Sequence, residues 1–221
     1  AMAFFGGLGD LLATAAMRNW VMADEIRIAI GLDSWKPTLG TRLTGKRNTA
    51  RRMVVSNGSL KPLSDPSPTC TWNFPVPFGT QKVIALPLAE IITISQHLRT
   101  SEIYSYMNLS PLEDLHDPAT PEPTAADATG LSTQRFVMDV IVRKGSEKRR
   151  GNASGRDIYA ITAPIVVEAA ERILDGRIKM TGVAAASEIF DANDFLQGIR
   201  RAYPFFEIHF EQMTNDNKNR R

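Results

Sequence analysis

Apolar residues stand at every second position from Gln134 to Arg143, with Phe136, Met138, Val140 and Val142 on one face. This period of two predicts a half-buried strand. Glu25 to Asp33 carries the same alternation, with Ile26, Ile28 and Ile30 opposite Arg27, and Lys82–Leu86, Glu102–Met107 and Phe205–Phe210 read as further strands. Val54-Val55 and Leu60 flank Asn57-Gly58, a pair that takes the positive φ values of a tight hairpin turn. Asp157 to Ile161 is also expected to be extended.

Helical spacing appears elsewhere. After Gly9, Leu11, Leu12, Ala15, Ala16 and Trp20 form an apolar face with Asp10 as N-cap. Thr38 opens a basic segment to Arg52 that predicts a helix, although Gly40 and Gly45 each weaken it by up to about 1 kcal/mol against alanine. Leu88 to His97 follows Pro87 as a short helix. Thr162-Ala163-Pro164 starts a longer one, with threonine as cap, that Gly176 ends. Asp191 caps the last, to about Arg201.

Residues 65–80 are broken by prolines around Trp72, Phe74 and Phe78. Between Asn108 and Ser132, prolines 111, 118, 121 and 123 mark a long surface excursion. A polar, glycine-rich turn is expected after Arg143, a short apolar connector at Gly182–Ala186, and a weakly held tail at 214–221. Strands and helices without regular βαβ alternation predict an α+β fold, its sheet largely antiparallel or mixed, with helices packed on one face. No repeat or low-complexity block divides residues 1–213, so they are expected to form one domain.

The chain has 221 residues, 26 basic and 24 acidic, for a net charge of +2. That balance gives no field for nucleic acid, and the arginine-rich runs 42–52 and 144–156 read as solvated faces. Cys70 is the single cysteine, which excludes an internal disulfide and points to a reducing, cytoplasmic setting. No stretch approaches the roughly 18 apolar residues of a membrane span. No signal peptide shows, and the opening Ala1-Met2-Ala3 lacks an initiator methionine at position 1, as expected of a trimmed chain.

Candidate chemistry is sparse. Gly6-Gly7-Leu8-Gly9-Asp10 opens a helix, where free amides attract anions. The dinucleotide fingerprint fails, because Leu12 occupies its third glycine position, only Phe4-Phe5 precedes it as a strand, and Asp10 repels phosphate. His97, His116 and His209 have no metal-ligand spacing; His209 shares a solvent-facing strand side with Glu207 and Glu211. Cys70 has no cation beside it in sequence, so it reads as an inert thiol. The junction Asp33–Thr38, with Trp35 and Lys36, together with Arg42, Arg47 and Asn48, joins a strand end to a helix start and could hold a carboxylate or phosphate. A surface helix beside a packed tryptophan explains the same residues.

Five stretches carry a family resemblance. Phe4-Phe5-Gly6-Gly7-Leu8-Gly9-Asp10-Leu11-Leu12-Ala13 and Gly31-Leu32-Asp33-Ser34-Trp35-Lys36-Pro37-Thr38-Leu39-Gly40-Thr41-Arg42 come first. Trp72–Gly79, Gly155–Pro164 and Gly182–Asp191 follow. Together they resemble the second half of saccharopine dehydrogenase-like oxidoreductases, including trans-acting enoyl reductase relatives. The resemblance implies an α+β domain on the substrate side, lacking the Rossmann half that binds NAD(P), partnered by that half and by a second copy, and inactive alone. It makes Gly7, Asp10, Trp35, Lys36, Arg42 and Asn48 the substrate-binding candidates, with Lys36 and Arg42 as anion holders, and assigns no catalytic residue. A free-standing module for an acyl ligand, suggested by Trp72–Phe78 and the apolar helix 163–174, and a structural dimerisation domain are the alternatives.

Overall fold

The computed structural model describes residues 2–213. A π-helical turn, Phe4–Leu8, runs into α1 (Gly9–Met17) and β1 (Met22–Leu32). Then come α2 (Leu39–Arg47), the hairpin β2 (Met53–Ser56) and β3 (Ser59–Pro62), and a second hairpin, β4 (Thr69–Asn73) and β5 (Thr80–Ala85). α3 (Ala89–His97), β6 (Arg99–Asn108) and α4 (Ser110–His116) lead to β7 (Arg135–Lys144) and β8 (Glu147–Arg156). α5 (Thr162–Leu174), α6 (Ala186–Ile189), α7 (Ala192–Ala202) and β9 (Glu207–Met213) complete it.

The nine strands form one mixed sheet in the order β3-β2-β6-β1-β7-β8-β9, with the β4–β5 hairpin joined to β6. Among the described residues only β1 and β6 run parallel; every other pairing is antiparallel. The α+β expectation therefore holds. Alternation sorts the side chains into two layers. Ile26, Ile28 and Ile30 of β1 and Phe136, Met138, Val140 and Val142 of β7 pack under α1, α3, α5 and α7. Each such burial contributes about 1.5–3 kcal/mol. On the other face, Ala29 and Val137 meet Trp72, Phe74, Val83, Ala85 and Tyr106 beneath the β4–β5 hairpin.

That second layer is tied by charge. Asp139 is fully buried and accepts from Trp72 Nε1 at 2.7 Å and from Arg150 Nε and Nη2 at 2.8 and 2.7 Å. Arg150 also donates to the Asn73 carbonyl, so one carboxylate and one guanidinium clamp the hairpin to β7 and β8. Arg27 lies between the Trp72 and Tyr106 rings, 5.2 and 5.1 Å from their centroids.

Local signals hold at several places. Asn57 and Gly58 have φ of 52° and 69°. Thr38 caps α2 and Asp191 caps α7, each accepting from the amide three residues on. Gly176, at φ 73°, follows α5.

Other expectations fail for identifiable reasons. Residues 147–156, read as a polar turn and a solvated run, form β8; Arg149 lies 3.9 Å over Trp20, and Arg156 pairs with Asp127. α1 ends at Met17, where Arg18 takes φ 50° and Arg149 caps the Met17 carbonyl, so Trp20 lies beyond the helix. Phe4-Phe5 is helical, not extended. Asp10 is no N-cap: it sits inside α1, where Leu8 holds that place. The helix from Thr38 stops at Arg47, short of Arg52. Residues 157–161 turn instead of extending, with Asp157 at φ 60° accepting from the Tyr159 and Ala160 amides; Ile161, not Thr162, precedes α5. Cys70 does have a cation beside it, Arg27 Nη2 at 3.3 Å. The expected tail at 214–221 lies outside the described residues.

Candidate functional site

A cleft of about 850 Å³ opens where the π-helical turn, the β1–α2 junction, α2, α4 and the turn before α5 converge. Phe4, Phe5, Trp35, Leu88, Leu115 and Ile158 supply its apolar lining. Arg42, Lys46, Arg52 and His116 border it, and no Asp or Glu does. An apolar hollow with several cations and no carboxylate suits an amphipathic anion.

Tyr159 organises the wall. Its hydroxyl accepts from Trp35 Nε1 at 2.9 Å and from the Thr38 amide at 3.3 Å, and lies 2.9 Å from Thr41 Oγ1. These contacts lock the Trp35 ring, which is 6 % exposed and tilted against Phe5 at 6.3 Å between centroids. The Trp35 amide also donates to Asp114 Oδ2 at 2.8 Å, which anchors the junction to α4.

The six candidate residues divide. Trp35, Arg42 and Asn48 line the cleft together. Arg42, however, donates to the Asp117 and Thr120 carbonyls, the latter at 2.7 Å, so its guanidinium pins the proline-rich loop. Asn48 follows α2 and accepts from the Ala50 amide. Lys36 is exposed and borders a separate pocket of about 190 Å³ with Ser34, Thr133 and Gln134; Tyr159 stands between the two spaces. Gly7 is buried in the π-helical turn and donates to the Ala3 carbonyl.

Asp10 is fully buried as well, 2.5 Å from His97 Nε2 and 2.8 Å from the Ser187 amide. It joins α1, the end of α3 and the start of α6, an internal staple that is not part of the cleft lining. Cleft residues that the sequence reading did not single out for the site include Phe4, Phe5, Lys46, Arg52, His116 and Tyr159. Tyr159 lies 124 positions from Trp35, and no local periodicity signals that pairing.

Behind Arg52 lies Glu90, fully buried. Glu90 Oε1 accepts from the Leu88 amide at 3.0 Å, while Oε2 has no hydrogen-bond partner. Burial pushes this carboxyl up from 4.5, against smaller opposing effects from Ser105, the Leu88 amide and Arg52. Burial likewise lowers Arg52, with Glu90 opposing. A raised carboxyl gives its full relative stability below its unfolded value and loses it as pH rises through the folded value. Glu90→Gln does not titrate, so in thermal melts its advantage over the wild type should be smallest near pH 4 and grow toward pH 8. A constant difference across that range contradicts the burial of an ionisable Glu90.

Among the described residues, no cluster of three or more His, Cys, Asp or Glu side chains is arranged to hold a metal, and no helix is long and apolar enough to cross a membrane. No protein-family model matches this chain, and no curated protein matches it.

Proposed function

We propose that this chain is the substrate-side domain of an NAD(P)-dependent oxidoreductase of the saccharopine dehydrogenase-like class, working in the cytoplasm. The cleft receives an amphipathic, acyl-like anion, and a separate Rossmann unit brings the nucleotide. The observation that carries the ligand class is the lining itself: the aromatic rings of Phe4, Phe5, Trp35 and Tyr159, cations at the border and, among the described residues, no carboxylate. The oxidoreductase assignment rests on the sequence resemblance, whose first two stretches supply Phe4, Phe5, Trp35, Thr38 and Thr41 to that lining.

Division of labour follows from the chemistry. Hydride transfer needs the nicotinamide carbon held against the substrate, and the residues here would bind and orient the substrate and exclude water, with the aromatic floor taking the apolar body. Arg52 and Lys46 take the anionic head, because both terminal nitrogens of Arg42 are engaged with backbone carbonyls, whereas Arg52 spends only Nη1, on the Pro87 carbonyl at 3.0 Å.

Octanoate is a minimal probe. Calorimetry should show saturable binding to the wild type. Arg52→Ala should weaken it about tenfold, the ratio that 1.4 kcal/mol represents, close to the lower end of the roughly 1.5–3 kcal/mol of a hydrogen bond to a charged group. Lys36→Ala should leave it unchanged. Equal losses in both variants, or no saturable binding, overturn the assignment of the anionic head.

Assembly with a second copy has its own supporting observation. α5 buries Glu168 and Arg172, which pair at 2.6 Å, yet exposes Val166, Val167, Ile173 and Leu174 at 45, 53, 54 and 85 %. The buried face also holds Ile165 and Ala169, so the exposed stripe is a second apolar surface, of the kind a partner covers. Sedimentation should therefore give a dimer that Val167→Glu converts to monomer; a monomeric wild type at tens of micromolar removes this reading.

A further inference from the structure

We propose that the hydroxyls of Tyr159, Thr41 and Thr38 form a relay that leaves the Thr38–Thr41 pair one spare O–H, which donates to a carbonyl or carboxylate oxygen of the ligand in the cleft. This deepens the proposed function and rests on that cleft being the ligand site. The direction follows from counting protons and lone pairs. Tyr159 Oη already accepts two N–H donors, from Trp35 Nε1 and the Thr38 amide. With both lone pairs occupied, its own proton must go to Thr41 Oγ1, 2.9 Å away.

Thr41 Oγ1 then receives from Tyr159 and shares one hydrogen bond with Thr38 Oγ1 at 3.1 Å, in which either hydroxyl can be the donor. Thr38 Oγ1 also accepts from the Thr41 amide at 3.2 Å. Whichever hydroxyl donates in that pair, the hydrogen of the other has no acceptor among the described residues. Thr38, Thr41 and Tyr159 all line the cleft. The Tyr159–Thr41 link is fixed at its far end by a buried indole, so it cannot reverse without leaving Trp35 Nε1 or the Thr38 amide unpaired. The wall therefore presents one spare O–H donor at the Thr38–Thr41 pair. A ligand entering polar end first meets it with C=O or COO⁻, the groups that an acyl substrate carries.

Two nearly isosteric substitutions separate ligand recognition from the capping of α2. Thr38→Asn and Thr38→Asp both offer an oxygen to the Thr41 amide, but only asparagine keeps a donor for the ligand. The probes are octan-2-one, a neutral acceptor free of charge repulsion, and octanoate, titrated by calorimetry, with melting temperatures confirming that both variants fold. The expected result is octan-2-one affinity within about threefold of wild type for Thr38→Asn and at least tenfold weaker for Thr38→Asp. If both probes bind the wild type and Thr38→Asp holds octan-2-one as tightly, the relay is overturned while the acyl-site reading stands. If octanoate itself fails to bind the wild type, the cleft is not the ligand site and both fall.

Discussion

Asp139→Ala should lower unfolding stability by about 3–5 kcal/mol, the cost of leaving a buried ion-pair partner uncompensated. The substitution leaves Arg150, whose Nε and Nη2 both donate to Asp139, with only the Asn73 carbonyl and the more exposed Glu211 at 3.6 Å, and frees Trp72 Nε1 in an apolar layer. Urea unfolding followed by tryptophan fluorescence checks this. The carboxylate's value lies in its fit to these partners, so Asp139→Leu combined with Arg150→Met should recover most of the loss. If the single substitution costs under about 1 kcal/mol, a range typical of exposed ion pairs, the clamp on the β4–β5 hairpin is not as described.

Asp157→Ala should be nearly as costly and should also abolish octanoate binding. Asp157 Oδ2 accepts from the Ser132 amide at 2.9 Å, and Oδ1 from the Tyr159 and Ala160 amides at 3.0 Å each. Each orphaned buried N–H costs about 1–3 kcal/mol, so a total near 3 kcal/mol is expected. The same turn aims Tyr159 at the cleft, which links the stability loss to the loss of binding. Burial alone would push Asp157 up, but the amides of Ser132, Ala160 and Tyr159 outweigh it and hold the carboxyl below its ordinary 3.8. A depressed carboxyl contributes stability above its unfolded value and loses it as pH falls through the folded one. The gap between wild type and Asp157→Asn, which tolerates φ 60°, should thus be widest above pH 5 and close at lower pH. A gap that widens on acidification contradicts this assignment.

How far such features could be read from the chain varied with their range. β1 and β7 were legible because each buries one face against helices, so composition repeats the pleat. The Asn57-Gly58 turn and the glycine after α5 were legible because their φ values restrict the residue type. β8 was not, since Glu147–Arg156 looks like a solvated turn. Its glycines answer to distant rings: a Cβ on Gly151 would lie 2.5 Å from the Phe210 ring, and one on Gly155 2.8 Å from Phe136. Without the neighbouring strand in view, those glycines read as turn formers.

The site was legible only along one wall. Trp35, Arg42 and Asn48 are close in sequence and meet at the cleft, whereas Tyr159 and Phe5 arrive through the tertiary fold. Asp10 shows the opposite error. A carboxylate at a glycine-rich helix start looked exposed to a ligand, yet His97 and the Ser187 amide enclose it, and only packing of α3 and α6 on α1 makes that possible.

The central claim, that the cleft beneath Trp35 is where an acyl anion binds, has a built-in reporter. Trp20, Trp35 and Trp72 give three indole N–H signals, and only Trp35 lines the cleft. In a nitrogen–proton correlation spectrum of the labelled protein, octanoate should shift the Trp35 indole saturably while Trp72, held by Asp139 on the opposite sheet face, stays fixed. A Trp35 signal that does not move, or that moves no more than those of Trp20 and Trp72, would contradict it.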